Sequence, residues 1–321
     1  MPGVVKPPAP ARPSRCFKGG MPPRRLKLRL AWPVVAAICL VVLRGPAGYV
    51  HAGSASNAQP LTGGLLPVMV LAGQSNMIGL MTNVNDLSVD ERATQPSVLF
   101  YGPNENGSTW GWLTPPTVTN DRFGPEISLG QHLVISGTYE LVAQVKFAVS
   151  GSNLATDWNP AGTSPWLYPL MLSRVQTSLN ALQSAHPDRH VFVAGFFWMQ
   201  GEADGQDAGM AADYGVNLAH FITHVRTDFH SPWLPVFVGR VRLTTAYAST
   251  VRQAEAHVAA TVPEVQLVDT DTLPMASDGL HYTSAGVVTL GNDFAESFIT
   301  WQASQHYVDF PLFVAGATRT Q

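Results

Sequence analysis

The sequence predicts an α/β fold, a three-layer α/β/α sandwich around a mainly parallel sheet. Three observations carry this: apolar, β-rich runs recur along the chain, segments of helical period separate them, and two polar excursions interrupt the alternation. A parallel sheet covered by helices on both faces produces this pattern, because strands buried on two sides read as continuous apolar runs. At 321 residues and 45% hydrophobic content the chain can fill one large domain or two small ones. No internal repeat or second-domain linker stands out.

The expected strands occupy 66–72, 97–101, 141–149, 190–199, 234–241 and 265–268. Leu167, Leu170, Met171, Val175, Leu179 and Leu182 recur at helical spacing, as do Tyr214, Leu218, Phe221, Ile222, Val225 and Phe229. A last helix is expected from Thr283 as N-cap through Val287, Leu290, Phe294 and Phe298. Residues 86–120 and 153–165 read as long surface excursions, expected to wall a crevice at the carboxyl ends of the strands. The domain is placed at 66–305, with a tail at 306–321.

Residues 1–52 hold nine Lys and Arg and no Asp or Glu, and 31–43 form an apolar run interrupted only by Pro33. This is a secretory signal layout preceding a linker at 53–65. The run is shorter than the about 20 residues a membrane span needs. Val50-His51-Ala52 offers a cleavage site, so the mature chain is expected to begin near Gly53 and to be secreted, periplasmic or held at the cell surface. The alternative is an uncleaved signal anchor. Met21 also offers a start, and Arg24-Arg25 is a weak twin-arginine signal.

Both cysteines, Cys16 and Cys39, lie in this prefix, so the mature chain would rely on packing alone. Without the prefix, ten Lys and Arg stand against 22 Asp and Glu, a formal charge of about −12. Such a chain is not expected to bind nucleic acid or anionic lipid nonspecifically.

Three segments carry chemistry. Ala72-Gly73-Gln74-Ser75-Asn76-Met77 directly follows a strand, and a strand-to-helix turn holds a serine hydroxyl at the sheet's edge with its N–H near a helix N-terminus. Ser277-Asp278-Gly279-Leu280-His281-Tyr282 spaces a carboxylate and an imidazole so that Asp278 can accept from one ring nitrogen while the other faces the serine. Trp198-Met199-Gln200-Gly201-Glu202-Ala203-Asp204 ends an apolar strand in polar groups, among them a Gln amide able to donate to an oxyanion.

Taken together, these blocks resemble the SGNH-hydrolase superfamily, and within it the sialate O-acetylesterase-like branch that includes carbohydrate esterase family six. The resemblance spans about 66–301 and rests on GQSNM at Gly73 to Met77, WxQGE at Trp198 to Glu202 and DxxH at Asp278 to His281. It implies a flavodoxin-like sandwich, the SGNH hydrolase fold, and a serine esterase without cofactor or metal acting on acetylated carbohydrate. Ser75, Asp278 and His281 would form the catalytic triad. Ser75, Gly151 and Gln200 would form the oxyanion hole, with Gly124 of Gly124-Pro125-Glu126 as the runner-up to Gly151. Glu202 and Asn76 would support the site, Glu202 orienting the histidine or shaping the acyl pocket. Relatives often carry Gly-Gly-Thr where this chain has Gly151-Ser152-Asn153, which affects pocket shape but keeps a backbone N–H.

Other constellations are weaker. His220 and His224 stand four apart on an expected helix without a third ligand at suitable spacing, and with His230 and Arg226 they read as a solvated face. Gly-x-Gly-x-x-Gly, a P-loop, His-Glu-x-x-His and Gly-x-Ser-x-Gly are all missing from the sequence. Trp110, Trp112, Trp158 and Trp166 lie in or beside expected loops, either to stack on sugar rings or to pack. Two other functions fit the same blocks: a general short-chain carboxylesterase or lipase-like hydrolase, and a noncatalytic glycan-binding module. The oligomeric state is not legible.

Overall fold

The computed structural model describes residues 64–102, 109–162 and 165–305. The expected signal, nearly all of the expected linker, the tail and both cysteines lie outside the described residues. In chain order the elements are β1 (Leu65–Gly73), α1 (Ser75–Ile78), α2 (Val89–Arg92), β2 (Gln95–Tyr101), β3 (Gly111–Leu113), α3 (Glu126–Ile135) and β4 (Val142–Ala148). There follow α4 (Leu167–Ala185), β5 (His190–Met199), α5 (Ala208–Asp228), β6 (Val236–Gly239), α6 (Ala248–Thr261), β7 (Val265–Val268) and α7 (Ser284–Gln305).

The strands form one seven-stranded sheet in the order β3-β2-β4-β1-β5-β6-β7, parallel throughout except for β3. The run β4-β1-β5-β6-β7 is the flavodoxin-like order, extended at one edge by β2 and β3. Every residue of β1 after Leu65 is buried, as expected of a central parallel strand. In such a sheet the crevice opens where strand order reverses, here at the carboxyl ends of β1 and β5.

Alternation along β5 fixes the two outer layers. Phe196 and Trp198 pack on Phe221 of α5, with ring centroids 5.8 and 4.6 Å away. Phe197, between them, packs on Phe294 of α7 at 5.4 Å. On the first face α4 joins α5 through Tyr168 and Phe221, at 5.8 Å. On the second, Ser128 of α3 donates to the Val288 carbonyl of α7 at 2.7 Å. Each fully buried aromatic side chain contributes about 1.5–3 kcal/mol, so the interdigitated Phe and Trp layers carry much of the fold.

All six expected strands and all three expected helices are present, within a few residues at their ends. Thr283 caps α7, its hydroxyl accepting from the Gly286 N–H at 3.2 Å. Three helices had no expectation: the single turn α2, α3 and α6. In α6 the buried stripe is Ala248, Val251, Glu255 and Val258, and the carboxylate in its middle breaks the apolar pattern. In α3, Glu126 and Ser128 are buried beside the apolar residues. Within the expected excursion at 86–120, β2 is the strand expected at 97–101, burying Val98 to Tyr101, and the correction is the unexpected antiparallel β3 that pairs with it.

Candidate active site

Gly73 lets β1 and β5 end side by side. Its φ is 148°, and a Cβ there would stand 2.0 Å from the Met199 carbonyl oxygen. The Gln74 N–H then donates to that same carbonyl at 2.9 Å, and the chain turns into α1 with Ser75 as its first residue. Gly79, in the left-handed region at φ 85°, closes this single turn. As the first helical residue, Ser75 has a backbone N–H without an intrahelical acceptor.

The histidine arrives on the tight loop before α7. Asp278 Oδ1 accepts the backbone N–H groups of Leu280 and His281 at 2.9 and 3.0 Å, and Oδ2 meets His281 Nδ1 at 2.7 Å. These hydrogen bonds hold the Asp278 carboxyl down at about 2. An ionised carboxylate only accepts, so Nδ1 carries the ring proton and Nε2 is left as acceptor. His281 Nε2 lies 3.0 Å from Ser75 Oγ. Ser75, His281 and Asp278 therefore stand in one hydrogen-bonded line, a geometry suited to deprotonating a serine hydroxyl.

Asn76 joins the two loops. Its Oδ1 accepts the Tyr282 N–H at 3.0 Å, and its Nδ2 donates to the Leu280 carbonyl at 3.3 Å, so the residues on both sides of His281 are held. Glu202 Oε1 accepts from the same Nδ2 at 2.6 Å, which fixes the direction of the Asn76 amide. Glu202 is 2% exposed, and burial raises its carboxyl above the usual range. Of the two roles expected for Glu202, orienting the histidine is the one with contacts, and it runs through Asn76.

Two expected oxyanion donors are corrected. Gln200 Nε2 is fully buried and has three acceptors in the protein: Asp204 Oδ2 at 2.7 Å, the Ser152 carbonyl at 3.0 Å and Gln74 Oε1 at 3.2 Å. An amide with two hydrogens has none left for substrate. The Gly124 N–H likewise donates to Glu126 Oε1 at 2.9 Å. Gly151 differs from both. It lies in the turn after β4 at φ 70°, where the Val149 N–H donates to the Gly73 carbonyl at 3.0 Å, so the turn sits beside the Ser75 loop.

The expected donor Gln200 instead belongs to the frame of that turn. Asp204, fully buried, accepts the Leu154 N–H at 2.8 Å and the Ala155 N–H at 3.0 Å, while Ser152 Oγ donates to the Val149 carbonyl at 2.7 Å and accepts from Trp158 Nε1 at 2.8 Å. Asp204 and Ser152 had no expected role. Asp204 stood in the quoted block, and a carboxylate ending a buried run was the available signal. A second buried group, Lys146 with Glu126 at 2.6 Å, pins the segment carrying Gly124, and Thr117 also donates to Glu126. Burial lowers the Lys146 ammonium from its usual value.

The tryptophans separate clearly. Trp158 is fully buried against Phe147 and Trp198, so it is core and not a sugar contact. Trp110 packs on Tyr101 and donates to the Ser178 carbonyl at 2.8 Å. Trp112, on edge strand β3, and Trp166, before α4, are half exposed. His220 and His224 lie along α5, with His224 Nδ1 2.9 Å from the His220 carbonyl. A cavity of about 470 Å³ borders Asp278, Gly279 and Leu280, walled opposite by Gln206 and 244–246. Another, of about 390 Å³, lies at Arg226 and His230, beyond the amino end of β6 and away from the triad.

A family profile described as carbohydrate esterase, sialic acid-specific acetylesterase, matches residues 66–300. The chain belongs to this family. A probable carbohydrate esterase of Arabidopsis thaliana is 32% identical over 250 residues, spanning 73% of this chain and 90% of that one. The fold of the esterase is shared with a crystal structure from Arabidopsis thaliana, at TM-score 0.60 and 22% identity over 73% of this chain and 98% of the other. NanS is similar at TM-score 0.54 and 17% identity, over 75% and 98%. A carbohydrate acetylesterase from Xanthomonas citri matches at 0.51 and 17%, over 75% and 56%. As a carbohydrate esterase, the chain is a carboxylic ester hydrolase with the α/β sandwich that the three sequence blocks implied.

Proposed function

We propose that the protein is an exported serine esterase that removes O-acetyl groups from carbohydrate. The observation that carries this reading is the line from Ser75 Oγ through His281 to Asp278, with steps of 3.0 and 2.7 Å, in the crevice where strand order reverses. His281 Nε2 takes the Ser75 proton as Oγ bonds to the ester carbonyl carbon. The oxyanion accepts from the N–H groups of Ser75 and Gly151. The bond to the sugar oxygen breaks as His281 returns its proton to that oxygen, leaving an acetyl-serine. Water, deprotonated by His281, then attacks; acetate leaves and Ser75 regains its proton.

Each oxyanion donor is worth about a hundredfold to a thousandfold in turnover. Asp278 sets the tautomer and balances the imidazolium. Export rests on the basic, acid-free prefix and its apolar run. The small acyl group and sugar leaving group rest on family membership. The test is acetate release from 4-nitrophenyl acetate and from acetylated xylan by the protein from Gly53 onward, beside Ser75→Ala. The reading requires release that drops to background in a folded variant. Release undiminished by Ser75→Ala overturns it.

A further inference from the structure

Two half-exposed aromatic residues stand at matching places in the fold, each at the amino end of a helix. Trp166 is the N-cap of α4 and 52% exposed; Tyr247 is the N-cap of α6 and 40% exposed. Neither makes a side-chain capping bond. N-cap positions favour Ser, Thr, Asp or Asn, whose side chains satisfy free backbone donors, so an aromatic residue there gives up helix stability. Both helices follow parallel strands, so their amino ends lie at the carboxyl edge of the sheet, the edge that holds Ser75.

Sheet order puts the strands that lead to the two residues on opposite sides of β1, the strand that ends at the nucleophile. Trp166 ends the segment after β4, and Tyr247 ends the segment after β6, with β1 and β5 between those strands. Three strand spacings separate β4 from β6, roughly 14 Å, which exceeds a single sugar ring. Tyr247 directly follows the 244–246 wall of the cavity beside Asp278. Trp166 is held by the oxyanion-side loop: its Nε1 donates to Asp157 Oδ1 at 2.8 Å, and Asp157 Oδ2 accepts the Asn153 N–H at 2.9 Å. The indole is thus fixed in direction before any ligand arrives, which spares ordering entropy on binding.

We infer that Trp166 and Tyr247 are stacking platforms for the sugar rings on either side of the acetylated unit, so that the ligand is a stretch of carbohydrate chain and not a lone sugar. This rests on the esterase reading above. The C–H face of a pyranose is apolar, and its hydroxyls stay in water when that face covers an aromatic ring. An aromatic side chain with a polar tip suits such a wet rim. Trp112 offers equal exposure but sits on the outermost strand, three strands from β1.

The experiment compares wild type, Trp166→Ala, Trp166→Phe and Tyr247→Ala on 4-nitrophenyl acetate and on acetylated xylo-oligosaccharides. A calorimetric titration of the same oligosaccharides into Ser75→Ala and its Trp166→Ala double variant accompanies it. Measured against its own turnover of the small ester, each alanine variant should lose about a further tenfold in kcat/KM on the oligosaccharide through KM, the loss expected when one ring's apolar contact is removed. Trp166→Phe should recover most of it, and the double variant should bind about tenfold more weakly. Equal kcat/KM on the oligosaccharide and equal binding overturn the platforms while leaving the esterase intact. A wild type that releases acetate from neither substrate overturns the esterase reading instead, and the titration still decides whether Trp166 holds sugar.

Discussion

Single residues decide whether His281 is aimed. Asn76 touches the backbone on both sides of it, and Glu202 holds Asn76. Asn76→Ala should lower kcat by about 10- to 100-fold with little change in KM, because misplacement of a base by a fraction of an ångström is costly. Steady-state kinetics and a melting curve on the same sample check this, and an unchanged kcat would contradict the clamp. Glu255 makes a separate prediction. It is fully buried, accepts from the Val241 N–H at 3.2 and 3.3 Å, and burial raises its carboxyl well above the usual range. A raised carboxyl contributes stability below its unfolded value, and that contribution fades as pH rises through the folded value. Glu255→Gln should therefore gain on wild type as pH rises from 5 to 8. Melting temperatures across that range test it, and parallel curves would contradict it. Ser75, Asp278 and His281 were legible because each sits in a short block at an element end. The occupied amide of Gln200 was not legible, since only tertiary contacts show that its hydrogens have acceptors.

Elements position these residues through two close approaches. The first is β1 against β5, where Gly73 leaves no room for a Cβ. Gly73→Ala should destabilise by about 3 kcal/mol or more, since the obstacle is backbone and cannot repack; a variant that melts with wild type would refute this. The second is the turn carrying Gly151, held by Gln200 and Asp204. If both act only by framing that turn, Gln200→Ala and Asp204→Ala should cost similar factors in kcat, about 10- to 100-fold, and the double variant little more than either alone. A far larger, additive loss from Gln200→Ala would restore it as a direct donor. The strands were readable because parallel strands are apolar throughout. The helix α6 escaped because Glu255 lies on its buried stripe, and β3 because three residues carry too little pattern.

At the scale of the fold, one mainly parallel sheet brings Ser75, Gln200 and Glu202 from the ends of β1 and β5 to the loop before α7. The fold class was legible from the alternation of runs, and the crevice from the general rule that sites open where strand order reverses. The Lys146–Glu126 pair was not legible, because nothing in the sequence marks two charges separated by 20 positions as partners. Beyond the prefix the formal charge is about −12, which disfavours nonspecific binding to anionic polymers. Covalent trapping asks whether Ser75 is the nucleophile. The protein is incubated with a fluorophosphonate, digested, and the adduct located by peptide mass spectrometry. One stoichiometric adduct on Ser75 is expected, formed at least about a thousandfold more slowly in His281→Ala. An adduct on another residue, or none on a sample that hydrolyses esters, would contradict it.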